Sequence, residues 1–210
     1  MIFEFFRWFG LITAYPVQLL FFKRKTYYEG GNKRLKKIKG GALIISNHYS
    51  VLDYMMNIFA VMPRKLNVVA AELAFRNPLI RFGMKFFGGI QANRVSKSLS
   101  FVDQSAAVIN KGQLVQIFPE GHNTPDGSVK EFKTTYIMIA HRANAPIIPI
   151  VSDGNYGFFK RASIIIGEPI YLIDFCPDGS MTADKVAEIN EAIHKKVCDL
   201  KDTVNELNRR

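Results

Sequence analysis

Residues 42–53 read Ala-Leu-Ile-Ile-Ser-Asn-His-Tyr-Ser-Val-Leu-Asp. An unbroken apolar run, Ala42 to Ile45, gives way to a polar turn, and an apolar-periodic stretch then continues to about residue 62. A short continuous apolar run bounded by turn residues fits a strand buried on both faces, as in a parallel sheet. Ser50-Val51-Leu52-Asp53 has the form of a capping box at a helix start. The stretch therefore predicts strand, turn and helix, which is one step of an α/β alternation.

The same alternation continues outward. Strands are expected at Ala42–Ser46, Leu66–Ala71, Gly89–Asn93, Leu114–Pro119, Ile147–Ser152 and Ser163–Gly167, with helices between them at about 50–62, 76–87, 98–110 and 133–144. A final helix over about 182–208 carries one apolar line, Val186, Ile189, Ile193, Val197, Leu200, Val204 and Leu207, in steps of three and four. The pattern predicts one α/β domain over 40–210, with a mostly parallel or mixed central sheet flanked by helices. A chain of 210 residues, 48% hydrophobic and with 17 Phe, can fill a sizeable core and is not disordered over most of its length.

Residues 1–39 read differently. MIFEFFRWFGLITAYPVQLLFF is apolar and rich in Phe, and eight Lys and Arg follow it between Lys23 and Lys39 against the single acid Glu29. Much of the net charge of +10 therefore sits in one segment. Glu4 comes early and the basic cluster follows the apolar run, which reads poorly as a signal peptide. One continuous helix over 2–22 would be about 30 Å long, enough to span a bilayer. However, Glu4, Arg7, Pro16 and Gln18 interrupt it, and its Phe and Trp suit an interface. The expectation is one or two short helices, broken near Pro16 and lying in one leaflet, with the basic tail attracting anionic lipid on the cytoplasmic face. A core helix with a solvated basic loop is the plainer alternative. Tyr27 and Tyr28 lie beside the cations without a nucleic-acid-binding motif around them, so no nucleic-acid partner is expected.

Four blocks carry candidate chemistry. In Asn47-His48-x4-Asp53 the two side chains would lie about 140° apart on a continuous helix. They meet only if His48 is in the turn and Asp53 in the first helical turn. The positive helix end would then favour a neutral imidazole, and Asp53 could fix its tautomer. The capping box is the structural alternative, with His48 incidental. Phe118-Pro119-Glu120-Gly121-His122-Asn123-Thr124 follows another strand, where a carboxylate could bind substrate hydroxyls or simply belong to a turn. Gly88-Gly89-Ile90-Gln91-Ala92-Asn93-Arg94 ends in an Arg suited to phosphate or to the surface. Ala145-Pro146-Ile147-Ile148-Pro149-Ile150 suggests a strand at a sheet edge or lining an acyl groove.

In order and spacing, these blocks resemble the glycerolipid acyltransferases typified by lysophosphatidic acid acyltransferase: Asn-His-x4-Asp, Gly-x-Ile/Phe-x-x-x-Arg, Phe-Pro-Glu-Gly, and a Pro-Ile-Val-Pro-type strand. The resemblance covers about residues 42–170 and includes Phe132-Lys133 and Gly167-Glu168-Pro169-Ile170. It implies acyl transfer from acyl-CoA or acyl-carrier protein, as co-substrate and without a cofactor or metal, to a lysophospholipid hydroxyl. It implies a catalytic dyad of His48 and Asp53, with Arg94, Glu120 and Gly121 helping to bind the acceptor. Asn47, beside the His, and Lys133 are counted with the substrate-binding residues. It also implies a membrane-dipping N-terminal element. One departure stands out: the family's Thr-Arg-Ser is His122-Asn123-Thr124 here. Asn is no substitute for a bidentate cation, so Lys130 or Lys133 would have to serve, or the acceptor is another lysolipid or a lyso-aminolipid.

Two further readings compete. A metal-dependent hydrolase would draw on His48, Asp53, Glu120 and His122, although no pair has the spacing of a helical metal motif. A non-catalytic lipid binder would use the N-terminal segment alone. Neither Cys176 nor Cys198 shows a basic partner that would make it a nucleophile, and there is no Gly-x-Ser-x-Gly elbow.

Overall fold

The computed structural model describes residues 2–209 apart from Asn77, 93–98 and 158–159. Helix α1 (Ile2–Phe22) leads into strand β1 (Lys25–Tyr28) and two short 3₁₀ turns. Strands β2 (Ala42–Ile45), β3 (Leu66–Ala71), β4 (Gly89–Ala92) and β5 (Leu114–Ile117) then alternate with helices α2 (Leu52–Val61), α3 (Pro78–Phe86) and α4 (Ser100–Asn110). Helix α5 (Thr135–Ala143), strands β6 (Ile147–Ser152) and β7 (Ser163–Ile166), and the long helix α6 (Ala183–Arg209) follow. All the expected strands and the central helices appear within a residue or two of their predicted bounds.

The strands form one seven-stranded sheet in the order β1-β7-β6-β2-β5-β3-β4. Every pairing is parallel except β6 with β7. Alternation along β2 shows how the layers divide. Leu43 and Ile45 face a core shared with Val102, Ala106 and Ile109 of α4, Tyr136 and Ile137 of α5, and Ile193 and Val197 of α6. Ala42 and Ile44 face the other way, toward Met56, Ile58 and Phe59 of α2 and Leu11 of α1. Because period-2 alternation sends neighbours to opposite faces, a continuous apolar run is what a strand covered on both sides requires.

Three expectations need correction. First, strand β1 lies inside the segment read as a membrane-interfacial element with a basic tail, so the sheet begins before residue 40. Its sequence Lys-Thr-Tyr-Tyr is polar because it occupies the sheet edge. Second, α1 is a single helix that continues through Pro16 rather than breaking there. Ile12, whose carbonyl loses its usual partner at Pro16, and Pro16 itself are both exposed, so the missing bond faces outward. Third, the strand containing Pro149 is interior, between β7 and β2. Pro149 is tolerated there because β7 ends at Ile166 and only one bond is missing at the end of that ladder, where Gly167 N–H still donates to Pro149 O at 2.8 Å.

Helix α1 is inverted with respect to an ordinary surface helix. Arg7, Leu11 and Gln18 are buried, while Phe5 (65% exposed), Phe9 (59%) and Leu20 (73%) point away from the domain. No described helix is long and apolar enough to cross a membrane.

Candidate active site

Strands β2, β3, β5 and β6 run parallel through their shared pairings, so their carboxyl ends lie on one edge of the sheet, where crevices form in open α/β folds. The turn after β2 carries His48, and Asp53 sits in the first turn of α2. His48 Nδ1 lies 3.0 Å from Asp53 Oδ2, with the imidazole 16% exposed and the carboxylate fully buried. The same Oδ2 accepts the Ser50 N–H at 2.7 Å, and Ser50 Oγ accepts the Leu52 N–H at 3.2 Å. One carboxylate oxygen thus takes both the Ser50 N–H and the His48 ring nitrogen, ahead of a helix whose N-cap residue, Val51, makes no side-chain cap bond. Phe118 stacks on the His48 ring with centroids 3.8 Å apart and planes 15° apart, which fixes the ring's tilt.

Two of the expected substrate-binding residues face inward instead. Asn47 is buried, donates through Nδ2 to Ser152 O and accepts the Ser152 N–H at Oδ1, both at 3.0 Å. It spans the ends of β2 and β6 as a ladder pair would. Glu120 is 1% exposed. Its Oε1 accepts the His48 N–H at 3.0 Å, and its Oε2 accepts the Lys130 N–H at 3.0 Å and the Thr124 hydroxyl at 3.1 Å. A carboxylate so occupied holds the His48 turn, and its oxygens are taken up within the protein. The Thr124 N–H donates to the His48 carbonyl at 2.7 Å, and the Thr124 hydroxyl, 3.1 Å from both that carbonyl and Glu120 Oε2, shares its one proton between them.

The other candidates lie at the rim. Gly121 has φ +75°, and a Cβ there would stand 3.0 Å from Lys133 Nζ, so the left-handed turn keeps room for that amine. Lys133 is exposed. Arg94 lies outside the described residues. The Lys130 amine faces Asp126 at 3.6 Å, away from the role considered for it.

Beside His48 opens a groove of about 510 Å³ lined chiefly by Val51, Tyr54, Val68, Val69, Ala71 and Phe118, with Gly121, His122 and Asn123 at its polar end. Its walls come from β3, α2 and the turn after β5, and no residue of β6 lines it. The Pro-Ile strand therefore does not form this groove. Tyr54 is pinned in the wall by its hydroxyl, whose single proton lies between the Leu66 and Phe87 carbonyls at 2.9 and 2.8 Å.

Sequence reasoning missed three contributors. Ser152 Oγ donates to Asp53 Oδ1 at 3.3 Å, and the Tyr156 hydroxyl makes a short bond to the same oxygen. Burial first, and then the charge of Asp53, push the Tyr156 hydroxyl well above its usual pKa, so it remains a donor. Lys201 of α6 is buried, bonds the Tyr49 hydroxyl, donates to Ser152 O at 3.1 Å and sits 4.2 Å over the Tyr49 ring. Burial lowers its pKa to about 8. A signal for Lys201 existed in the sequence: it stands four after Val197 and three before Val204, on the apolar line of the helix.

The cysteine reading needs amendment, since Cys198 Sγ lies 3.9 Å from His194 Nδ1, one helical turn back. Burial, and then Asp199 and Asp202, push that thiol up, which opposes a nucleophilic thiolate. Among the described residues no three His, Cys, Asp or Glu side chains gather as metal ligands would.

The His–Asp pair lies at the strand ends of a mixed α/β sheet, beside an apolar groove, and residues 25–153 match the family model described as Acyltransferase: the chain belongs to this family. Its relatives include curated 1-acyl-sn-glycerol-3-phosphate acyltransferases. The chain is 27% identical to the human 1-acyl-sn-glycerol-3-phosphate acyltransferase beta over 161 residues, covering 73% of this chain and 57% of that protein. It is 24% identical to the Bacillus subtilis (strain 168) 1-acyl-sn-glycerol-3-phosphate acyltransferase over 181 residues, covering 84% and 89%. The chain thus spans little more than half of the human relative but most of the bacterial one. The fold matches the crystal structure of the 1-acyl-sn-glycerophosphate (LPA) acyltransferase PlsC from Thermotoga maritima with a TM-score of 0.62 at 20% identity, covering 90% of this chain and 74% of that one.

Proposed function

We propose that this acyltransferase moves a fatty acyl group from the thioester of acyl-CoA or acyl-carrier protein to the hydroxyl of a lysophospholipid, with 1-acyl-glycerol-3-phosphate as acceptor and phosphatidic acid as product. The observation that carries the reading is His48, tethered through Nδ1 to buried Asp53 at the end of an apolar groove. A carboxylate that only accepts leaves the hydrogen on Nδ1 and the lone pair on Nε2. Nε2 then takes the acceptor's hydroxyl proton as its oxygen attacks the thioester carbonyl. The tetrahedral intermediate collapses with cleavage of the C–S bond, and the imidazolium returns the proton to the departing thiolate. Asp53 stabilises the imidazolium without itself accepting the proton. The groove walls suit an acyl chain, and Lys133 above Gly121 supplies a cation at the polar end.

His122 and Asn123 at that end favour a second acceptor reading, a lysolipid or lyso-aminolipid without a terminal phosphate. The membrane completes the proposal. The outward Phe5, Phe9 and Leu20 of α1 meet the acyl boundary of the cytoplasmic leaflet, and the cations between Lys23 and Lys39 meet anionic headgroups, making the enzyme peripheral or monotopic. Purified protein, labelled acyl-CoA or acyl-carrier protein, and vesicles holding lysophosphatidic acid or phosphate-free lysolipids test the whole reading. Transfer is expected in the parent, with a loss of about 10²–10⁴ in His48→Ala. A folded His48→Ala protein with parental turnover rejects the base.

A further inference from the structure

The outer oxygen of Asp53 is held by a residue that lies in none of the four sequence blocks. Tyr156 occupies the loop between β6 and β7, and its hydroxyl donates to Asp53 Oδ1 while lying 3.0 Å from Ser152 Oγ. Ser152 Oγ approaches the same oxygen at 3.3 Å. Three oxygens thus form a closed triangle around a carboxylate with no solvent exposure, and the opposite oxygen receives His48 Nδ1 and the Ser50 N–H. Tyr156 is itself built in. Its ring meets Phe22, the last residue of α1, edge to face at 6.4 Å. Its loop is tied down by Asp153, which accepts the Asn155 and Ser163 N–H groups at 3.0 and 3.1 Å.

We propose that Tyr156, with Ser152, is a positioning residue for the acyl-transfer dyad: the two hydroxyls fix the rotation of Asp53 and draw charge from it through Oδ1. Donors on the far oxygen weaken the carboxylate's hold on an imidazolium and so favour the neutral ring that a base requires. The inference rests on the dyad reading of the proposed function. Other charged and titratable groups around the pair are Glu120 on the His48 backbone, His122 at the groove end, Asp153 beside Tyr156, and Lys201 with Tyr49 beyond Ser152. None of these reaches Asp53 through a hydrogen bond, and Tyr156 does.

The test is Tyr156→Phe, which keeps the ring against Phe22, with Ser152→Ala as the second variant. Two readouts separate positioning from packing. The first is the pH profile of kcat/KM for acyl transfer to vesicle-borne lysolipid. Its acidic arm should move up by about one pH unit in Tyr156→Phe, with turnover recovering toward the parental value at alkaline pH. A purely structural role would lower the rate equally at every pH. The second is the far-downfield proton resonance of the His48 Nδ1–H, which should shift or broaden away in either variant that retains its fold. An unmoved profile together with an unmoved resonance overturns the proposal. The resonance needs no turnover, so if the parent transfers no acyl group, the functional reading fails while the role of Tyr156 is still decided.

Discussion

Glu120 holds His48 by its backbone and not by its ring: Oε1 accepts the His48 N–H at 3.0 Å, and Oε2 ties in Thr124 and the Lys130 N–H. Replacing Glu120 by Gln puts an amide donor where only acceptors fit. At least one buried N–H or hydroxyl then loses its partner, which costs about 1–3 kcal/mol. Glu120→Gln should therefore lower both the melting temperature and the turnover. An unchanged melting temperature with a raised KM for the acceptor would instead place the carboxylate on substrate.

Lys201 gives a pH signature. Its pKa is lowered in the fold to about 8 from an ordinary 10.5, so the unfolded chain binds more protons than the native one between those values. Stability contributed through this group rises with pH across that window, and below it the cost of burying the charge is fully present. The difference in melting temperature between the parent and Lys201→Met should change with pH from about 8 to 10.5 and be flat below about 7. A difference independent of pH would show that the amine does not titrate there.

The groove offers a steric test. Ala71 ends β3 and lines the cavity beside His48. Ala71→Phe should shorten the space for an acyl chain, lowering kcat/KM for long-chain donors by about tenfold or more relative to short-chain ones. Equal losses on both would exclude the groove as the chain's seat.

The outward face of α1 can be tested without chemistry. Phe5→Asp with Phe9→Asp removes two exposed rings, each worth about 1.5–3 kcal/mol when buried in lipid. Co-sedimentation with vesicles containing anionic lipid should fall by about two orders of magnitude, and the parent's binding should weaken as salt rises. Parental binding by the double variant would move the docking surface elsewhere.

How far the sequence could be read follows from burial. Strands such as Ala42–Ile45 are apolar on both faces and stand out, whereas the edge strand Lys25–Tyr28 is polar and hides within a basic run. The meeting of His48 and Asp53 was legible because a turn followed by a helix start allows only one way for the pair to touch. The direction in which Glu120 and Asn47 point was not, since a motif gives neighbours in the chain and not neighbours in space. Tyr156 lies 103 positions from Asp53 and has no periodic context to mark it.

Lys201, in α6, lies 152 positions after Tyr49 and braces it beside His48. On the ribosome, β2 and its turn emerge early, and the strands through β7 precede α6 in order of synthesis. The nascent sheet can therefore assemble while this brace is still unmade. The surroundings of the pair are completed only when α6 docks on the assembled sheet, well after the strand and helix that carry His48 and Asp53 have been made.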